Sequence, residues 1–256
     1  MQKTRVLGVG FHVMTMQETV DAALSYLADD GIRENGAAAV YTPNPEVVMC
    51  ARRDAAFMDV LERGELVIPD GIGVVYAMRI NGVKVKGRVP GCDLVQKLFA
   101  AMNETGQSVY FLGGAAASVA GAAEKMAAAY PGLQVAGYHD GYFKDNEDTL
   151  IIEEIERLKP DLLLVGLGCP RQEKWIDAHR HLPVKLMMGV GGSIDVMSGT
   201  VKRAPKGFQK LGLEWLYRLA KQPSRLGRQM ILPMFMLTVI GARLFGGKDK
   251  KGKEWK

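Results

Sequence analysis

The 256-residue chain predicts a doubly wound α/β fold, and three observations carry that prediction. Apolar, β-rich runs alternate with helical patterns along most of the chain. Several of those runs are continuously apolar rather than alternating, as strands of a parallel sheet are when helices cover both faces. Nearly every run also ends in a glycine- or proline-containing turn with polar residues, which is where open parallel sheets gather ligands. The expected sheet is mostly parallel and Rossmann-like.

In chain order, the strand candidates are RVLGVGF (5–11), AAAVYTPN (37–44), LVIPDG (66–71), SVYFLGG (108–114), LQVAGYHDG (133–141), DLLLVGLG (161–168) and KLMMGVGG (185–192). Helical patterns fill the gaps at 16–28, 46–63, 71–80, 92–104, 115–129, 147–159 and 171–181. The first helix begins within MTMQETVDAAL, which reads as a capped helix start. The apolar stretch from Val6 to Met14 is broken by Gly8, Gly10 and His12, so it does not read as a cleavable signal.

With 48% apolar and 24% charged residues, the composition is that of a globular protein able to bury a large core. Cys50, Cys92 and Cys169 are far apart in sequence, with no C-x-x-C, which suggests a reducing compartment and no metal cluster. Charge divides the chain. Residues 201–256 carry 14 Lys+Arg and 3 Asp+Glu, a net of +11; the remaining 19 basic and 25 acidic residues leave −6 on residues 1–200. The chain therefore reads as an acidic α/β body at 1–200 and a basic appendage at 201–256, whose partner is a polyanionic surface, nucleic acid or anionic lipid.

In the appendage, FQKLGLEWLYRLAKQ sets Phe208, Leu211, Trp215 and Leu219 at helical spacing among Lys210, Arg218 and Lys221. Arg225 and Arg228 follow, then MILPMFMLTVIGARLF, interrupted by Pro233 and shorter than the roughly 20 residues of a spanning helix. Basic residues beside Trp, Tyr and an apolar run point to a helix lying in an anionic membrane interface. A core-packing terminal helix with a solvated basic face is the competing reading. Nucleic acid is disfavoured, because no RRM, OB or helix-turn-helix signature accompanies the charge.

The candidate chemistry collects in the strand-end turns. Asp70, in VIPDGIGVV, reads as the N-cap of the helix that follows, as a general base at the sheet edge, or as both at once. Arg88, in GRVPGCDL, is a solvated arginine or a grip for a diphosphate. FLGGAAAS lacks both the full G-x-G-x-x-G spacing and a P-loop lysine, so Gly113 and Gly114 speak weakly for NAD and against a P-loop kinase. In GLGCPRQEKWI, Gln172 could bond sugar hydroxyls or an amide, whereas Glu173 and Lys174 read as surface pairs. In GVGGSIDVMSG, Gly189, Gly191 and Gly192 free backbone N–H groups for a ligand, and Asp195 is either a ribose or base acceptor or a capping residue. DAHRHL spaces its Asp and His residues around a helix rather than gathering them. There is no H-E-x-x-H, G-x-S-x-G, EF-hand or D-x-D pattern, so a phosphate leaving group would rely on cations and N–H groups.

Taken in order, LGVGFHVMTMQETV, TPNPEVV, IPDGIGVV, GRVPGCDL, FLGG, GYF, LLLVGLGCPRQEKWI, GVGGSIDVMSGTVKRAPK and LGLEWLYRLAKQPSRLGRQ resemble the WecG/TagA/CpsF family of bacterial glycosyltransferases. The resemblance implies metal-independent, cofactor-free, inverting transfer of a sugar, often N-acetylmannosamine, from UDP to a polyprenyl-diphosphate-linked sugar. In the teichoic-acid linkage branch the acceptor is N-acetylglucosaminyl-diphospho-undecaprenol and the bond is β-1,4. Relatives use the uronic acid or glucose. Carried onto this chain, Asp70 matches the catalytic base, and Thr42 and Gln172 match active-site polar positions. Arg88, with Arg218, Arg225 and Arg228 of the appendage, falls to the diphosphate. The donor pocket takes Asn44, Gly113, Gly114, Tyr142, Gly191, Gly192 and Asp195. The implied place is the cytoplasmic face of the plasma membrane, held peripherally by the appendage, with room for self-association off the membrane. A nicotinamide-dependent oxidoreductase and a non-catalytic lipid- or nucleic-acid-binding module are the alternatives from other classes; the incomplete glycine fingerprint disfavours the first.

Overall fold

The computed structural model describes residues 2–31, 36–144, 148–210, 212–221, 227 and 230–245. The chain opens with a hairpin, β1 (Lys3–Val6) and β2 (Val9–His12), paired antiparallel. RVLGVGF is thus two strands and a turn rather than one strand: Leu7 and Gly8 take φ of 50° and 96°, as a two-residue hairpin turn requires. The hairpin stands outside the main sheet and is tied to it through His12, whose Nδ1 accepts the Val67 N–H at 3.0 Å. Burial, reinforced by Lys3, holds that imidazole below its usual pKa, in keeping with a neutral acceptor.

α1 (Met16–Ala28) is capped, as expected, and the cap is a capping box: Thr15 accepts from the Glu18 N–H, and Glu18 accepts from the Thr15 N–H at 2.7 Å. Then come β3 (Ala38–Tyr41), α2 (Pro45–Arg53), α3 (Ala55–Glu62), β4 (Leu66–Val67), α4 (Ile72–Ile80) and α5 (Gly91–Thr105). The helical pattern read over 46–63 is broken at Asp54, which ends α2 and caps α3 by accepting the Phe57 N–H. The alternation continues with β5 (Ser108–Gly113), α6 (Ala116–Ala129), β6 (Gln134–His139), α7 (Thr149–Leu158), β7 (Leu162–Gly166), α8 (Arg171–Ala178), β8 (Leu186–Gly189) and α9 (Ser193–Met197).

The main sheet has six strands in the order β4-β3-β8-β7-β5-β6, and every pairing is parallel. Side-chain alternation along the strands divides the core. Tyr41, Tyr110, Leu112, Leu163, Val165 and Met187 face one apolar cluster with Val47, Phe57, Val74, Trp175 and Phe235. Val40, Val109, Phe111, Leu162, Leu164 and Met188 face the other, with Val20, Leu94, Leu98, Val119 and Ile194. Both faces are dry, which is why the strands read as unbroken apolar runs. From β3 the chain steps outward to β4, then crosses to β5 and β6 on the far side. The reversal falls over β8, and a doubly wound sheet opens its ligand crevice at such a point.

Beyond residue 200, the segment read as one amphipathic helix is two, α10 (Lys206–Lys210) and α11 (Glu214–Lys221). Gly212 breaks it with φ 72°, and a Cβ there would fall 2.8 Å from Cγ1 of Ile72, so the chain presses its backbone against the start of α4. The helix α12 (Ile231–Phe245) returns to pack Phe235 and Val239 into the core. No helix among the described residues is long and apolar enough to cross a membrane.

Candidate active site

The carboxyl edge of the sheet builds the site in two parts. On the β4 side, Asp70 follows the strand through Pro69, and its N–H donates to Pro43 O at 3.3 Å, which sets it beside the end of β3. Gly71, with φ 87°, occupies the N-cap of α4 and makes no side-chain cap bond. Of the two readings of Asp70, the capping position thus belongs to its neighbour. The half-buried Asp70 lines a cavity of about 210 Å³ with Asn44, Glu46, Arg88, Glu214, Trp215 and Ile231. Asn44 also caps α2, its Oδ1 accepting from the Glu46 and Val47 N–H groups at 2.9 and 3.1 Å.

Arg88 is held by the appendage. Its guanidinium forms an ion pair with Glu214 and donates to Gln209 O at 3.0 Å. Glu214 also meets Arg203, which forms a two-pronged pair with Asp93 at the start of α5. Hydrogen bonding to Asp93 raises the Arg203 pKa, so this cation is fixed. Arg218 lies on α11, but its side chain falls outside the described part; Arg225 and Arg228 lie outside the described residues altogether.

The second part is a cluster of glycine turns over β5, β7 and β8. The Gly114 N–H donates to Gly166 O, and Gly114 O accepts the Gly141 N–H at 2.9 Å, so the turn after β6 lies on the turn after β5. Asp195, on α9, leans over this cluster: its carboxylate oxygens are 3.8 and 3.9 Å from where a Cβ on Gly114 or on Gly192 would stand. Gly192 is the N-cap of α9 and makes no side-chain cap bond, leaving Asp195 in the first turn. Tyr142 is 83% exposed on the rim, its N–H donating to Asp140.

Thr42 and Gln172 stand between the two parts. Thr42 Oγ1 is 3.5 Å from Gly189 O, a long hydrogen bond, and Gln172 packs over the same glycine. Gln172 accepts the Gly191 N–H through Oε1 at 3.0 Å and donates from Nε2 to Glu173 Oε1 at 2.9 Å. Asp70, Arg88 and Asn44 therefore share the cavity, whereas Gly113, Gly114, Gly191, Gly192 and Asp195 share the glycine cluster. Asn44, expected among the donor residues, lines the same cavity as Asp70.

Four features escaped the sequence. Glu173, read as a surface pair, is 3% exposed; burial pushes its pKa up to about 7, and its Oε2 has no hydrogen-bond partner among the described residues. Lys174 does pair at the surface, with Asp54 at 2.8 Å. Arg171 spans from α8 to the turn after β6, donating to Gly141 O and Phe143 O and stacking 4.5 Å over the Phe143 ring. Trp215, read as a membrane anchor, lines the Asp70 cavity. Cys50 and Cys169, far apart in sequence, line one cavity; burial, then Glu173 and Cys50, raises the pKa of the Cys169 thiol.

Fold and site together define a doubly wound α/β enzyme whose cleft opens on the carboxyl edge of its sheet. The sequence model of the glycosyl transferase WecG/TagA/CpsF family matches residues 4–249, and the chain belongs to that family. A Bacillus subtilis (strain 168) protein named N-acetylglucosaminyldiphosphoundecaprenol N-acetyl-beta-D-mannosaminyltransferase is 37% identical over 232 residues, covering 90% of this chain and 87% of its own. A Staphylococcus aureus (strain MRSA252) protein of the same name is 34% identical over 252 residues, 98% of this chain and 96% of its own.

Proposed function

We propose that this chain transfers N-acetylmannosamine from UDP-N-acetylmannosamine to the C4 hydroxyl of N-acetylglucosaminyl-diphospho-undecaprenol, with inversion and without a metal. The names of its relatives support the acceptor and the sugar transferred. The observation that carries the reading is the cavity in which the Asp70 carboxylate and the Arg88 guanidinium meet under Trp215 and Glu214 of the appendage. In this mechanism Asp70 takes the proton from the C4 hydroxyl as that oxygen bonds to the anomeric carbon. The bond from that carbon to UDP breaks on the opposite face, and UDP leaves with the electron pair. The N–H groups of the glycine turns offset the charge developing on UDP, with Asp195 and Tyr142 at the nucleoside. Arg88 holds the acceptor diphosphate, sharing its guanidinium with Glu214 or exchanging Glu214 for phosphate oxygens.

Residues 1–200 are the catalytic domain, and residues 201–256 are the appendage that places it peripherally on the cytoplasmic face of the plasma membrane. A soluble donor and a lipid-held acceptor meet only at such a surface. Self-association off the membrane would cover the apolar part of the appendage. Turnover of UDP-N-acetylmannosamine, its uronic acid and UDP-glucose against a short-lipid diphospho-N-acetylglucosamine acceptor tests the reading. The first donor is expected to dominate, and a preference for the uronic acid or glucose would move the enzyme to another surface polysaccharide. Removing residues 201–256 is expected to abolish both sedimentation with anionic vesicles and most turnover.

A further inference from the structure

A second cavity, of about 280 Å³, lies beside the Asp70 cavity and shares Glu46 and Ile231 with it. One wall is a single face of α2: Glu46, Met49, Cys50 and Arg53 follow the i, i+3, i+4, i+7 spacing that aligns side chains along a helix. The opposite wall is Ile231 and Met234, one turn of α12, and Cys169 completes the lining. From Glu46 to Asp54 the groove follows the helix for about 12 Å, at 1.5 Å per residue. It begins at the N-terminus of α2, beside Asp70, and leads away from the sheet edge. Between its charged ends the lining is Met and Cys with one Ile, an apolar wall in which Met49 and Met234 supply the adaptable side chains that accept a flexible apolar chain. The wall then continues outward along α12 through Met234, Leu237, Ile240 and Leu244, which are 46, 71, 41 and 70% exposed.

We propose that this groove is a binding site for the polyprenyl chain of the acceptor, receiving its first isoprene units as they leave the diphosphate at Arg88. The inference rests on the acceptor reading above. An acceptor whose sugar faces Asp70 and whose diphosphate faces Arg88 must carry its chain out of the first cavity. The groove adjoins that cavity at Glu46 and Ile231 and ends on an apolar helix face, so the chain passes from site to lipid with little exposure to water.

Two measurements on the full chain test this. In the first, Met234→Trp narrows the groove at a half-exposed position, and turnover is compared on diphospho-N-acetylglucosamine acceptors carrying a farnesyl or a butyl group. A fall in kcat/KM of about tenfold is expected for the farnesyl acceptor and less than about twofold for the butyl one. Equal losses on both, or none on either, overturn the proposal. The second needs no variant and no turnover: farnesyl diphosphate is expected to slow methanethiosulfonate labelling of Cys50 severalfold, whereas inorganic diphosphate is not. Absence of that protection overturns the groove even if the enzyme is active. If dilution alone unmasks Cys50, a second copy of the chain closes the groove, and the proposal falls. A wild type that glycosylates neither acceptor while farnesyl diphosphate still protects Cys50 would sink the acceptor reading and leave the groove standing.

Discussion

Arg88 and Glu214 form an ion pair that joins the turn before α5 to the first residue of α11, with only 16% and 14% of the two side chains exposed. The pair fastens the basic segment to the α/β body through a cation expected to meet the acceptor diphosphate. Glu214 also bonds Arg203, and Arg203 bonds Asp93, so both ends of the contact are anchored. Because neither partner is well solvated, losing Glu214 leaves the part-buried Arg88 guanidinium to the Gln209 carbonyl, and losing Arg88 leaves Glu214 to its long contact with Arg203.

A double-mutant cycle on this pair should therefore show coupling. Arg88→Ala and Glu214→Ala are each expected to lower the unfolding free energy by about 1–3 kcal/mol, and the double variant by clearly less than their sum. Urea unfolding provides the numbers, and strict additivity would mean that the pair does not hold the segment. Turnover should separate the two residues. Arg88→Ala is expected to lose roughly a hundredfold or more, whereas Glu214→Ala keeps measurable turnover with tighter acceptor binding, because the guanidinium no longer has a competing carboxylate.

Asp70→Asn keeps the shape of the side chain and removes the base. General-base assistance is worth roughly 10²–10⁴-fold, so turnover should drop by that order. Thermal midpoint and UDP affinity should stay near wild type, since Gly71 rather than Asp70 caps α4. Turnover within about threefold of wild type would remove Asp70 from the chemistry.

Gly113 ends β5 with φ 125°, and a Cβ there would lie 2.4 Å from Gly166 O on the neighbouring strand. Gly113→Ala must strain the backbone and part β5 from β7 at the edge where the glycine turns meet. A loss of about 2–4 kcal/mol is expected, lowering the thermal midpoint by roughly 5–12 °C. Gly207→Ala is the control, because nothing lies within 4 Å of the added atom. Equal melting of the two variants would show that the edge tolerates the strain.

Much of the fold was legible because its signals are local. The unbroken apolar runs of β5, β7 and β8 report a sheet covered on both faces, and MTMQETVDAAL announces the capped start of α1. The turns after the strands could be located, and Asp70, Arg88 and Asn44 do meet at one edge. What was hidden depends on distant pairings. The first strand candidate folds back at Leu7–Gly8, which shows only once φ is known. Cys50 and Cys169 meet because α2 and the turn before α8 lie on the same face of the sheet. Trp215 lines the Asp70 cavity because Gly212 turns the segment inward over Ile72. Glu173 was misread for a simpler reason: R-Q-E-K at a helix start looks solvated, yet α8 rotates its third residue into the core.

That buried carboxylate makes the last prediction. Glu173 titrates near 7 in the folded chain against about 4.5 when unfolded, raised mainly by burial. Between those two values the folded state holds a proton that the unfolded state has released, so stability falls as pH rises across that window and levels off above it. The full difference is about 3 kcal/mol. Glu173→Gln cannot ionise, and its amide oxygen can still accept from Gln172 Nε2, which leaves Gln172 bonded to Gly191. Urea unfolding of wild type and variant at pH 5 and pH 8 isolates the effect: the variant should gain on wild type by about 2–3 kcal/mol between the two pH values. Parallel pH curves would mean that Glu173 stays ionised in the folded chain, with its second oxygen solvated after all.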